Sequence, residues 1–205
     1  MKLISFAAYA LLISTVLLFT ACNEDDDVPP EENPEEQITR VILTFTPDGG
    51  GDTVTATWED PDGEGSEDPV KTDIALAAST TYTLRIELFD ALDPDDIENK
   101  TEEIENEDDE HMFFFGWDDE VFTDPEGDGN IDARADLVNY EDQDGGGLPL
   151  GLETRWTTGD ATNGMFTVVL KHQPPLDDGT PIKTATSTAT DGTSDIEIDW
   201  NIAVQ

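Results

Sequence analysis

The amino-acid sequence predicts an all-β fold, an antiparallel β-sandwich of Ig-like or Greek-key type with one short helix at its rim. From residue 38 onward, apolar residues mostly alternate with Thr, Arg and Glu, and this period of two is typical of strands that bury one face. Segments rich in Gly, Pro and Asp separate the alternating stretches at short intervals, which favours a sandwich of two sheets. Residues 38–205 are therefore interpreted as one domain with one core.

The predicted strands follow one another in short runs. The first two, "ITRVILTFT" (38–46) and "TVTATWED" (53–60), are separated by "PDGGGD", whose composition predicts a hairpin turn. The third is "TYTLRIELFD" (81–90), with its apolar residues on one parity. The others are "HMFFFGW" (111–117), "ADLVNYED" (135–142), "LETRWTT" (152–158), "GMFTVVLKH" (164–172) and "SDIEIDWNIAV" (194–204).

One segment between the third and fourth strands departs from the period of two. Asp93 followed by Pro94 is typical of a helix start. Ile97, Thr101 and Ile104 then recur at helical spacing on an otherwise charged segment. The pattern predicts a helix across one end of the sandwich. Acidic residues near its C-terminus oppose the helix dipole, so the helix should fray after about residue 106.

The first 21 residues predict a secretory signal peptide. Lys2 is followed by a long apolar run that ends in "LLFTAC", where the small residues Thr20 and Ala21 precede Cys22, the sole cysteine of the chain. This ending resembles a bacterial lipobox, and the resemblance implies cleavage before Cys22 and lipidation of that cysteine. The competing interpretation is a transmembrane anchor, because about 20 apolar residues can just span a bilayer.

Residues 22–37 are interpreted as the lipidated cysteine and an acidic tether. "NEDDD" follows Cys22 directly, and "VPPEENPEEQ" adds prolines and further acids, a composition that keeps a segment stiff and unfolded. The acidic cluster resembles the export signal that sends lipoproteins of the Bacteroidota to the outer face of the outer membrane. The resemblance implies a lipid-anchored protein facing the cell exterior. A solvated acidic linker is the simpler interpretation, and the two are compatible.

The net charge excludes some partners and favours others. The chain has 49 acidic and nine basic residues, for a formal charge of −40. Nucleic acids are excluded as partners because their phosphates require Lys and Arg for neutralisation. Cations and strongly basic protein surfaces are favoured. Solubility in a saline or crowded exterior explains the same composition without any partner.

An enzyme is not predicted, and no catalytic residues are nominated. The sequence has no free cysteine after lipidation, no Gly-x-Ser-x-Gly motif and only two histidines to serve as a base. No phosphate-binding glycine loop follows a strand and opens a helix. Carboxylates are so frequent that choosing two as a hydrolase pair has no basis.

One acidic loop predicts a calcium site. In "DPEGDGNID", oxygen-bearing side chains occupy alternate positions and Gly129 stands where a calcium loop turns sharply. The loop resembles an EF-hand or thrombospondin-type repeat. The twelfth position is Ala135 and Asp136 comes one residue late, so the resemblance supports a looser calcium loop; a plain turn is the alternative. The predicted ligands are Asp124, Glu126, Asp128, Asn130 and Asp132.

The two histidines predict a second, transition-metal site. His111 begins the side-chain row of one strand and His172 ends the row of another. If these strands are antiparallel neighbours, both imidazoles meet at one rim, near the acidic end of the helix, where Glu107 and Glu110 supply carboxylates. Such a set suits zinc, copper or iron. The alternative is two ordinary histidines at strand ends. Met112 and Phe114, on the opposite parity, predict a central strand covered on both faces.

The lipobox, the tether, the helix running into "EHMFFF" and the strand ending "LKHQP" together resemble small acidic β-sandwich surface lipoproteins of the Bacteroidota. The resemblance implies location and architecture but no reaction. The favoured hypothesis is a non-enzymatic surface lipoprotein that captures cations, with an outer-membrane transporter as a candidate recipient. The alternative hypothesis is a calcium-stabilised adhesion or assembly module that binds a protein or a glycan.

Overall fold

The alternating apolar residues form two packed β-sheets and one short helix in the computed structural model, which describes residues 35–63 and 65–205. The predicted all-β sandwich with one helix is confirmed. The predicted signal peptide, Cys22 and most of the predicted tether lie outside the described residues. In chain order the elements are β1 (Arg40–Pro47), β2 (Val54–Glu59), β3 (Val70–Lys71), β4 (Ile74–Leu76), β5 (Thr81–Asp90), β6 (Glu98–Asn99), α1 (Lys100–Asn106), β7 (His111–Trp117), β8 (Phe122–Asp124), β9 (Glu153–Thr158), β10 (Thr162–His172) and β11 (Thr193–Val204).

The first sheet has the strand order β3-β2-β1-β5-β9-β8, with β6 paired to β5. The predicted hairpin of β1 and β2 is present and antiparallel. The second sheet has the order β4-β11-β10-β7. Its β4 runs parallel to β11, whereas the other pairings of named strands are antiparallel.

The core lies between the sheets because each sheet directs one parity of its side chains inward. On β1, Val41, Leu43 and Phe45 are buried, while the residues between them are partly exposed. Trp156 and Phe166, from opposite sheets, meet edge to face with ring centroids 5.2 Å apart. Such a pair adds roughly 0.5–1.5 kcal/mol beyond the burial of its area. This packing fixes β7 and β10 against the first sheet.

Both faces of β7 are covered, but β7 is not the central strand that the sequence predicted. Phe113 and Phe115 belong to the main core, while Met112 and Phe114 belong to a smaller cluster on the opposite face. β7 is the last strand of the second sheet. Loop residues, rather than a further sheet, cover its outer face, which is why its apolar pattern looks like that of a central strand.

The outer edge of β7 is closed by the loop that follows β8. Gly129 forms a bridge with Gly116, and the Asn130 backbone N–H donates to the Phe115 carbonyl oxygen at 2.8 Å. A Cβ on Gly129 would lie 2.0 Å from the Phe115 oxygen, and the φ of Gly129 is +105°. Only glycine meets both conditions. The loop thereby covers a sheet edge that would otherwise be open to other chains.

The helix begins later than predicted. Asp93 closes a turn, in which its carboxylate accepts a hydrogen bond from the Asp95 backbone N–H at 3.0 Å. Residues 98–99 then pair with β5, and this extended backbone delays the helix. α1 begins at Lys100, with the Asn99 side chain as its N-cap. It ends at Asn106, as predicted, and buries Ile104 in the core.

The predicted strand over residues 135–142 is wrong. This segment is irregular apart from an isolated bridge between Tyr140 and Thr154. Leu137 is exposed, so the apolar alternation does not correspond to a buried face. Two backbone hydrogen bonds, from Glu141 N–H to the Glu153 oxygen and from Arg155 N–H to the Asn139 oxygen, join the segment to β9. The Tyr140 hydroxyl also donates to the Phe113 carbonyl oxygen of β7 at 2.6 Å.

A buried ion pair ties the loops on the outer face of the second sheet. The Lys183 ammonium lies 3.0 Å from Asp144 Oδ2 and donates to the Asp108 carbonyl oxygen at 2.5 Å. Burial lowers the pKa of Lys183, while the Asp144 carboxylate opposes this shift. The pair joins the loop after β10, the loop before β9 and the turn between α1 and β7. That turn leads directly into His111.

Candidate metal centre

The pairing of β7 with β10 places the two histidines opposite each other. His172 is the register partner of His111, so the predicted meeting of the two imidazoles at one sheet rim is confirmed. Their ring centroids are 4.7 Å apart and the ring planes differ by 8°. Both side chains are essentially inaccessible to solvent, with residue exposures of 0% and 1%. The sequence has no other histidine.

The hydrogen bonds of His111 define which of its nitrogens faces the site. Nδ1 lies 3.0 Å from the Glu107 carbonyl oxygen. A carbonyl oxygen can only accept, so Nδ1–H donates to it and Nε2 points the other way. Nε2 lies 3.1 Å from Glu36 Oε2 and 3.7 Å from Asp195 Oδ2. A backbone carbonyl that fixes the outer nitrogen is the usual support for a metal-binding histidine.

Glu36 reaches the histidines from the segment that precedes β1. Its side chain is 2% exposed, and its backbone N–H donates to Asp195 Oδ1 at 3.4 Å. The sequence interpretation placed this residue in the tether. Glu36 lies in an acidic, proline-containing stretch without periodicity, so no local pattern distinguished it from its exposed neighbours.

A β-bulge directs Asp195 toward the same point. Along the pairing of β10 with β11, Leu170 faces Ile196 but Lys171 faces Ser194, so Asp195 is the extra residue of the bulge. Bulges commonly redirect a side chain beside functional sites. The Asp195 side chain is 0% exposed. Regular alternation along β11 predicts that Asp195 faces solvent. The sequence pattern therefore gave no reason to place Asp195 in a buried site.

The four residues Glu36, His111, His172 and Asp195 are called the histidine cluster. Burial raises the pKa of Asp195 to about 8, and the nearby Glu36 charge adds to the shift. Burial alone would lower the pKa of His111, but the hydrogen bond and charge of Glu36 outweigh it and raise that pKa. Burial also opposes ionisation of Glu36, yet its hydrogen bond with His111 and the charges of both histidines hold its pKa below the ordinary value. The cluster thus concentrates acidic groups around one imidazole.

The two predicted carboxylate ligands take different positions. Glu107 contributes its backbone carbonyl to His111 Nδ1. The Glu110 carboxylate oxygen Oε2 lies 3.5 Å from His172 Nε2, and its carbonyl oxygen accepts a hydrogen bond from Gln173 at 2.6 Å. Glu110 therefore contacts the predicted histidine, while Glu107 orients the other one through its backbone.

An acidic cleft of about 320 Å³ lies beside the histidine cluster. Glu36 and Asp195 belong to both the cleft wall and the cluster. Glu35 and Asp60 add two further carboxylates to the wall. The remaining lining residues are Gln37, Ile38, Thr39, Trp58 and Gly63. The acidic wall of the cleft favours cations near this side of the cluster, although the Glu36 and Asp195 side chains themselves are 2% and 0% exposed.

The spacing of the cluster fits one small cation. One ligand atom from each of Glu36, His111 and His172 lies within 4.8 Å of the other two. With bonds of about 2.0–2.1 Å, neighbouring ligand atoms in a tetrahedral site stand about 3.3 Å apart. The separation of 3.1 Å between His111 Nε2 and Glu36 Oε2 matches this spacing. Parallel imidazoles direct their lone pairs side by side, so holding one ion requires the rings to tilt toward each other.

The predicted calcium ligands do not all come together. Asp128, Asp132 and Asp136 form an exposed cluster of carboxylates, so Asp136 joins two of the five predicted residues. Asn130 is buried, and its amide oxygen accepts from the Phe115 backbone N–H at 3.0 Å. Asp124 Oδ1 accepts from the Asn139 side chain at 3.0 Å. Glu126 is exposed.

Comparison of the chain with protein-family models, curated proteins and solved structures finds no match. Within residues 35–63 and 65–205, no helix combines the length and the hydropathy needed to cross a membrane. The apolar run of the predicted signal peptide lies outside these ranges.

Proposed function

We propose that this protein is a cell-surface lipoprotein of the Bacteroidota type that captures a divalent transition-metal ion in a non-enzymatic role. The observation that carries the proposal is the meeting of His111 and His172, buried and stacked 4.7 Å apart beside Glu36. Imidazole and carboxylate ligands together suit zinc, iron and copper(II). The lipobox-like ending at Cys22 and the acidic segment behind it support the location.

The orientation of His111 and the acidic groups around the cluster support the capture of a cation. His111 is already oriented through Nδ1, so little further ordering is needed at that ligand. The cluster is buried beside an acidic cleft that Glu36 and Asp195 help to line, and acidic walls raise the local concentration of cations. An ion held there could be passed to an outer-membrane transporter or another surface protein. Calcium, at the exposed Asp128, Asp132 and Asp136, is the second cation of the proposal.

The test is metal binding by the full-length chain, purified in detergent without a histidine tag. Zinc, copper and iron would be offered separately, with bound metal measured by elemental analysis after dialysis and affinity by calorimetry. The expected result is one transition-metal ion per chain at micromolar or tighter affinity. His111→Ala/His172→Ala should abolish it, since both imidazole ligands are removed.

The matched control is the triple variant Asp128→Asn/Asp132→Asn/Asp136→Asn, which alters the exposed carboxylates only. It should retain transition-metal binding and lose calcium binding. Equal transition-metal binding by wild type and the double histidine variant would overturn metal capture. If calcium alone binds, the alternative of a calcium-stabilised adhesion module becomes the working function, to be tested against protein and glycan partners.

A further inference from the structure

The side chain of Asp195 has an oxygen whose hydrogen-bonding capacity is not used. Asp195 Oδ2 is buried and has no hydrogen-bond partner among the described residues. Buried polar atoms in folded proteins are nearly always paired, because an unpaired one keeps its full desolvation cost. An orphaned carboxylate oxygen inside a protein therefore indicates a missing partner with a positive charge or a proton.

The position of this oxygen beside His111 and Glu36 favours a cation as the partner. Oδ2 lies 3.7 Å from His111 Nε2, and Glu36 Oε2 lies 3.1 Å from the same nitrogen. These two distances bracket the spacing of about 3.3 Å between neighbouring ligand atoms in a tetrahedral site. Asp195 lies outside the set of ligand atoms that are within 4.8 Å of one another, so its side chain would have to move toward an ion bound to His111 Nε2 and Glu36.

The backbone also directs Asp195 toward this point. The bulge between β10 and β11 removes Asp195 from the solvent-facing row that includes Glu197 and Asp199. Its other oxygen, Oδ1, accepts a hydrogen bond from the Glu36 backbone N–H at 3.4 Å, which ties the two acidic residues together. Both residues also belong to the lining of the acidic cleft.

We propose that Asp195 is the fourth ligand of the ion held by Glu36, His111 and His172, giving a site of two imidazoles and two carboxylates. This inference rests on the proposed metal-binding function and deepens it. Four nitrogen and oxygen ligands without sulfur favour a divalent first-row ion such as Zn²⁺ or Co²⁺ over Cu⁺, which prefers thiolate and thioether ligands.

The experiment uses the full-length untagged chain and titrates Zn²⁺ by calorimetry and Co²⁺ by visible absorption, whose intensity reports the coordination number. Asp195→Asn removes the charge at nearly constant volume. Glu197→Gln, an exposed acid on the same strand, is the matched control. Asp195→Asn should weaken Zn²⁺ binding by at least about tenfold and change the Co²⁺ spectrum, while Glu197→Gln should match wild type.

The possible outcomes test the role of Asp195 as a ligand separately from metal binding by the protein. If Asp195→Asn binds both ions as Glu197→Gln does, while His111→Ala loses them, Asp195 is not a ligand and the proposed function stands. If wild type binds neither ion, both proposals are overturned. Asp195→Ala repeats the test with the carboxyl group removed altogether, and circular dichroism of each variant verifies its fold.

Discussion

Asp195 and His111 determine how the stability of the metal-free protein depends on pH. The pKa of Asp195 rises from 3.8 to about 8 on folding. At a pH between these two pKa values, Asp195 is protonated in the folded chain and ionised in the unfolded chain. The free energy of unfolding therefore falls as pH rises through this range. Folding raises the pKa of His111 above 6.5. The stability that protonated His111 contributes is therefore fully present below pH 6.5, and it is lost as pH rises through the pKa of the folded state. The two effects have the same sign.

We therefore expect the chelator-treated protein to be more stable near about pH 5.5 than near about pH 8.5. Below about pH 4.5 the trend should reverse, because the pKa of Glu36 is lowered on folding and its contribution is lost on acidification. Urea unfolding with a chelator present measures both trends. Asp195→Asn should flatten the alkaline decline. A free energy of unfolding that stays constant or increases from about pH 5.5 to about pH 8.5 would contradict this account.

Among the residues of the cluster, the meeting of the two histidines could be predicted from the sequence, whereas the burial of the two acidic residues could not. The meeting of His111 and His172 follows from strand parity and from an antiparallel register, both of which are local or repetitive properties. Glu36 lies in a segment without periodicity. Asp195 is turned inward by a one-residue bulge, and a bulge reverses the face that alternation predicts. Carboxylates at 49 positions offered too many equivalent choices.

At the scale of elements, the loop that closes the edge of β7 depends on Gly129. Gly129→Ala should destabilise the protein by several kcal/mol, because the new Cβ would meet the Phe115 carbonyl oxygen and the φ of +105° disfavours any side chain. Gly145→Ala is the control, since a Cβ there meets nothing within 4 Å. Urea unfolding of both variants measures the difference. Equal stability of the two would show that the loop can move away from β7 at little cost.

The sequence predicted correctly those strands whose apolar residues alternate regularly and whose apolar face packs in the core. β1, β5, β10 and β11 belong to this class, since each alternates between core and solvent over most of its length. The errors at residues 93–99 and 135–142 share one cause. At residues 93–99 a short pairing with β5 competes with the helix. At residues 135–142 an isolated bridge and two backbone hydrogen bonds with β9 stand in place of a full strand. Tertiary contacts of this kind leave no periodic pattern in the sequence.

At the scale of the whole molecule, the formal charge of −40 opposes folding. Compaction brings the carboxylates closer together, and salt weakens their repulsion because the Debye length falls from about 30 Å at 0.01 M to about 10 Å at 0.1 M. The free energy of unfolding should therefore rise with NaCl concentration over this range. Repeating the titration near about pH 4, where many carboxylates are protonated, is the control and should give a smaller slope. A salt-independent stability at neutral pH would contradict the prediction.

The histidine cluster also joins the two ends of the described chain. Glu36 precedes the first strand and Asp195 lies on the last, 159 residues apart along the chain. Contacts of such long range carry a loop-closure cost that local contacts do not. During synthesis the cluster cannot assemble until β11 has emerged and paired, and a chain truncated before β11 lacks Asp195 altogether. Occupancy of the site by an ion would therefore distinguish a finished molecule from a nascent or shortened one.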